Sequence, residues 1–145
     1  MVSYNYGKMK IFIICSKVFY GSIPPIKAAL ELAGHEITLP NCYDDPNTEA
    51  RYRQMGDKEH ATWKARMLSH SRQVIGQTDA VLVLNFEKNG QADYIGGATF
   101  LEMYDAFLLG KKIFMYGDIP DGLLKDEIEG FEPVLLHQNL ELIAN

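Results

Sequence analysis

Residues 9–15, MKIFIIC, and residues 79–86, DAVLVLNF, are runs in which apolar, largely β-branched side chains follow one another without alternation. A strand with one wet face alternates polar and apolar positions. An unbroken run fits a strand covered on both faces, as the strands of a parallel sheet are. Parallel neighbours need long crossover connections, usually helices, so helical segments are expected between such runs. They are present. After the first run, Pro24 and Pro25 suit a helix's first turn. Ile26, Ala29, Leu30 and Ala33 recur at helical spacing, and Gly34 is a natural stop. Residues 35–39 (HEITL) form a second short strand closed by Pro40.

The pattern then repeats. Residues 59–73 read as a helix with Trp63, Met67 and Val74 as its inward stripe, followed by the run at 79–86. Residues 98–109 form a strongly apolar helix that stops at Gly110, and residues 112–116 (KIFMY) a fourth strand. Residues 123–129 give a short helix and residues 132–137 (EPVLLH) a weak fifth strand. The polar segment 41–58, with turn signals at Asp45-Pro46 and Gly56, has room for a short helix but reads mainly as a surface loop. Strands alternating with helices predict an α/β, doubly wound parallel sheet, with order 2-1-3-4-5 the natural choice for five strands. No linker or repeat divides the chain, so residues 9–145 read as one domain behind a short flexible arm at 1–8.

Composition narrows the function. A formal net charge of −5 argues against a nucleic-acid partner, which would usually meet a basic stripe. No apolar stretch reaches the ~20 residues that span a bilayer, and residues 1–8 hold no signal-peptide core, so the expected residence is cytoplasmic without membrane contact. Cys15 and Cys42 are spaced for neither zinc nor a disulfide framework. His35, His60 and His137 show no convergent spacing. No metal and no cofactor are expected.

In an open parallel sheet the ligand crevice lies where the strand order reverses, beyond the carboxyl ends of the first and third strands. Two loops reach that point. One offers Ser16, Lys17, Tyr20 and Ser22; the other offers Asn85, Lys88, Asn89, Tyr94, Gly96 and Gly97. All ten are candidate ligand contacts. Several familiar chemistries fail here. There is no Gly-Lys-Ser/Thr phosphate loop and no spaced-glycine dinucleotide turn. A cysteine phosphatase needs an Arg six residues after its nucleophile, where Cys15 is followed by Gly21. A phospho-acceptor Asp at the end of the third strand is replaced by Asn85 and Phe86.

The most informative stretch is residues 94–114, YIGGATFLEMYDAFLLGKKIF. Glu102 falls in the opening turns of a helix behind a Gly-Gly pair, with Ala106 and Gly110 following at four-residue steps. With Asp79 opening the preceding strand, this Glu-x-x-x-Ala-x-x-x-Gly-Lys block (Glu102, Ala106, Gly110, Lys111) resembles the nucleoside 2-deoxyribosyltransferase-like family. The opening KIFIICS and the GHEITLP after the first helix are similar to it as well. The resemblance implies a flavodoxin-like three-layer sandwich and a nucleoside or nucleotide ligand. It also implies that Glu102 is the nucleophile attacking the anomeric carbon, in a transferase or a hydrolase. A carboxylate suits that role because it stabilises an oxocarbenium-like centre and can both form and leave an ester.

The leaving base needs a proton. Where the family carries an acidic residue eight positions before the strand-opening aspartate, this chain has Ser71, flanked by His70 and Arg72. His70 is the candidate proton donor, although it points about 100° away from Ser71 around a helix. A version that binds nucleotides with little or no chemistry is the alternative. Thr99 and Glu102 also match a capping box, in which the carboxylate would only start its helix. Tyr20, Tyr94 and Tyr104 are candidates to stack on a base or orient Glu102. The apolar load of the 98–109 helix (Phe100, Leu101, Met103, Phe107, Leu108 and Leu109) exceeds one buried face and predicts a homo-oligomer.

Overall fold

Strand pairing fixes the architecture. In the computed structural model, which describes residues 7–143, five strands form one parallel sheet in the order β2-β1-β3-β4-β5. They are Lys10–Ile14 (β1), Glu36–Thr38 (β2), Ala80–Val83 (β3), Lys112–Met115 (β4) and Val134–Leu135 (β5). The helices are Ile23–Leu32 (α1), Thr48–Met55 (α2), Asp57–Gly76 (α3), Gly97–Leu108 (α4) and Lys125–Gly130 (α5). The fold is α/β and flavodoxin-like, with helices on both faces of the sheet. Apart from residues 7 and 8, the arm expected at 1–8 lies outside the described residues.

Register explains the unbroken apolar runs. Ile11 and Ile13 of β1 lie beside Ala80 and Leu82 of β3 and face α1 through Ile23, Ile26 and Leu30. Phe12 and Ile14, beside Val81 and Val83, face the other way onto Ile75 of α3, Met103 and Ala106 of α4, and Ile128 of α5. Every residue of β3 is buried. Helix ends follow local rules. Gly110, at φ 68°, lets its own N–H reach the Phe107 carbonyl and the Lys111 N–H reach the Ala106 carbonyl. Those paired bonds stop α4 and turn the chain into β4.

The polar segment 41–58 is less of a loop than expected, since α2 occupies eight residues of it and α3 begins at Asp57. No residue of α2 is buried, so it carries no apolar stripe for periodicity to reveal. The inward residues of α3 are Trp63, Ser71 and Ile75. Met67, expected among them, is only half-buried and faces a cavity instead.

Candidate functional site

The chain leaves β1 and β3 in opposite directions, opening a cavity of about 310 Å³ beyond their carboxyl ends. Its loop wall is built by Ser16, Lys17 and Tyr20 after β1, and by Lys88, Gly96 and Gly97 after β3. Glu102 comes from the second turn of α4. The facing wall is α2 and α3, with Asn41 and Cys42 closing the gap after β2.

The capping box is not made. α4 starts at Gly97 with Gly96 as its N-cap, and no side chain caps it. Thr99 is therefore inside the helix, where it is buried, and Glu102 is left to the cavity. Burial pushes the Glu102 carboxyl up to about 7. A hydrogen bond from the Ser71 hydroxyl and the positive charge of Lys64 oppose this, while Asp105 adds to it. Asn41 fixes Ser71 in turn: its Nδ2 donates to Ser71 Oγ at 2.7 Å and to the Met67 carbonyl at 3.2 Å. The Tyr20 hydroxyl donates to the Asn41 carbonyl at 3.0 Å. A carboxyl that divides its population between acid and anion near neutral pH, on the wall of a cavity, can attack as a nucleophile or hand over a proton. Cys15 lines the same space, but burial, aided by Glu102, pushes its thiol up to about 12. It is therefore not a competing nucleophile.

Seven of the expected residues thus converge: Ser16, Lys17, Tyr20, Lys88, Gly96, Gly97 and Glu102. Five do not. His70 is exposed and absent from the cavity wall, because the neighbouring position, Ser71, is the one turned inward. Ser22 and Asn89 share a shallow groove with Phe19 and Phe86, next to the cavity. Tyr94 packs edge-on to Phe19 and takes Lys88 Nζ over its ring at 4.5 Å, so it supports the loop wall from behind. Tyr104, also considered for stacking, is 45 % exposed on the outer side of α4.

Asn85 has a structural duty. It is 2 % exposed, its Oδ1 accepts from the Gly117 N–H at 2.8 Å, and its Nδ2 donates to the Asp118 carbonyl at 2.8 Å. These bonds tie the end of β3 to the loop after β4. Asn85→Ala is expected to lower stability by about 1–2 kcal/mol, because two part-buried hydrogen bonds that join the loops are lost. A urea midpoint equal to wild type would refute that assignment.

The wall residues not named as site candidates from the sequence are Asn41, Glu49, Trp63 and Lys64, while Ser71 stands at the position the family resemblance singled out. Glu49 belongs to helix α2. Burial pushes its carboxyl up, but hydrogen bonds from His60 and Lys64 and the charges of Lys64 and Arg53 outweigh that and hold it below the usual range. The cavity therefore holds two carboxyls biased in opposite directions. Among the described residues, no group of three or more His, Cys, Asp or Glu side chains is arranged to hold a metal ion, and no helix is long and apolar enough to cross a membrane.

No family model matches the chain, and no curated protein is significantly similar to it. The site must be read from its own geometry.

Proposed function

We propose that the protein acts on the N-glycosidic bond of a nucleoside or nucleotide, deoxy or ribo, as a transferase or hydrolase of the cytoplasm, with Glu102 as nucleophile. One observation supports this most. Within the block that resembles the nucleoside 2-deoxyribosyltransferase-like family, Ala106 is buried against the sheet, and Gly110 and Lys111 terminate α4. Glu102 is the only member without a structural duty, and it borders the cavity. In this reading a Glu102 oxygen attacks the anomeric carbon while the carbon–nitrogen bond breaks. Its electron pair leaves with the base, which takes up a proton, and the sugar remains as an ester on Glu102. Water or a second base then displaces Glu102. Incubation with deoxynucleosides, ribonucleosides and their monophosphates, followed by chromatography for free base, tests the proposal. Release from none of them overturns it.

A second reading, a nucleotide-binding module without efficient chemistry, is favoured by Ser71 beside Glu102 and by the exposure of His70. Neither places an acid next to the leaving base. Thermal shifts separate the two readings, since a ligand at 100 times its Kd stabilises by about 2.7 kcal/mol whether or not it reacts. A shift without base release selects the module.

We also propose self-association. Leu101, Phe107 and Leu108 of α4 and its C-cap Leu109 are each at least 40 % exposed, and Phe107 packs against Phe131, ring centroids 5.5 Å apart, to widen the patch. Light scattering is expected to give a dimer or larger, and Phe107→Glu with Leu108→Lys a monomer. A wild-type monomer at high concentration would refute this.

A further inference from the structure

Glu49 is held in an unusual way. Lys64 Nζ at 3.0 Å, His60 Nε2 at 2.9 Å and Arg53 Nη2 at 3.7 Å all meet the same carboxylate oxygen, Oε2. Each makes its closest approach at Oε2, which leaves Oε1 the less engaged of the two oxygens. The Glu49 side chain is 25 % exposed and lines the cavity. One oxygen is therefore anchored by three side chains, and its twin is the freer acceptor on a side chain whose orientation is already fixed.

The surroundings indicate what that acceptor meets. The wall that carries Glu49 is otherwise mostly apolar and flat: Pro46, Trp63, Met67 and Leu68. Trp63 is braced from behind by Tyr52, stacked at 5.7 Å and 18°. The opposite wall carries Ser16, Lys17 and Lys88, which suit hydroxyls or an anionic group. A planar heterocycle with an N–H donor on its edge fits the first wall; a sugar, with or without phosphate, fits the second.

We infer that Glu49 is a specificity-determining residue that reads the base, its Oε1 accepting from a ring N–H or exocyclic amine of the ligand. This rests on the nucleoside reading above, in either its catalytic or its binding-only form. The anchoring cations keep the carboxylate ionised, and a charged acceptor discriminates more strongly than a neutral one. Lys64 and Arg53 also offset its charge, so a neutral base is the fitting partner.

The experiment is a binding comparison needing no turnover, best done in Glu102→Gln so that nothing is consumed. Kd is measured by calorimetry for two pairs that differ in the donor alone: adenosine against purine riboside, and cytidine against pyrimidin-2-one riboside. At least one donor-bearing member is expected to bind on the order of tenfold more tightly than its partner. Glu49→Ala should bring that ratio close to one, and Glu49→Gln, whose amide oxygen still accepts, should leave part of it. Both variants disturb the α2 contacts, but a merely loosened cavity would weaken both members of a pair equally and leave the ratio intact. An unchanged ratio in Glu49→Ala, or no preference in either pair before substitution, overturns the role of Glu49 while leaving the nucleoside reading standing. Failure of all four compounds and their monophosphates to bind overturns both.

Discussion

Glu102→Gln is expected to abolish base release, by at least about a thousandfold, while making the protein more stable at pH 8. The two effects share one cause. A carboxyl raised from 4.5 to about 7 binds its proton more tightly in the folded state than in the unfolded chain. Its favourable contribution is complete below pH 4.5 and is lost as the pH rises through 7. The loss amounts to about 3 kcal/mol before solvent screening reduces it. Glutamine keeps the shape and never ionises, so the variant should escape that loss, and its advantage should vanish at pH 4. Denaturant unfolding of both proteins at pH 4, 6 and 8 measures this directly. Equal stability at every pH would mean that Glu102 is well solvated, contrary to the burial described here. Activity should run the opposite way, rising with pH through about 7 as the attacking anion is populated.

Ser71→Ala should move that activity profile rather than simply depress it. The hydroxyl donates to the Glu102 carboxylate and favours its ionised form. A hydrogen bond to a charged group contributes about 1.5–3 kcal/mol, which corresponds to a displacement of roughly one to two pH units. Asn41 loses one of its two acceptors in the same change, but Tyr20 still holds the Asn41 carbonyl. At pH 7 the variant is expected to be about tenfold slower than wild type, and at pH 9 to recover most of the difference. A rate lowered equally at every pH, with the midpoint unmoved, would show that Ser71 only packs the helix.

The strands were legible because burial on both faces leaves a mark on every position: Phe12 cannot point to water any more than Ile13 can. The crevice was legible because it follows from strand order. The far wall was not. Lys64, a polar position on a long helix, looks in the sequence like part of a solvated face, and only the sheet's position shows that it turns inward; Ser71 is marked only by the resemblance. Helix α2 was hidden for a related reason, since a helix that buries nothing writes no period. Asn85 and Ser16 look alike as polar residues at strand ends, yet Asn85 spends its amide on joining two loops while Ser16 reaches the cavity. Sequence supplies the donors and acceptors. Geometry decides which are already engaged.

Helix α2 closes one side of the cavity while contributing to neither hydrophobic core. Its hold on α3 includes a stacked ring pair, Tyr52 on Trp63, a hydrogen bond from Arg66 to the Tyr52 hydroxyl at 3.2 Å, and the ion cluster at Glu49. An element held by such contacts is expected to open at a lower free energy than the sheet, which faster amide hydrogen exchange over residues 48–55 than over β3 would show. Such an opening would uncover the Glu49 side of the cavity while the strands stay paired.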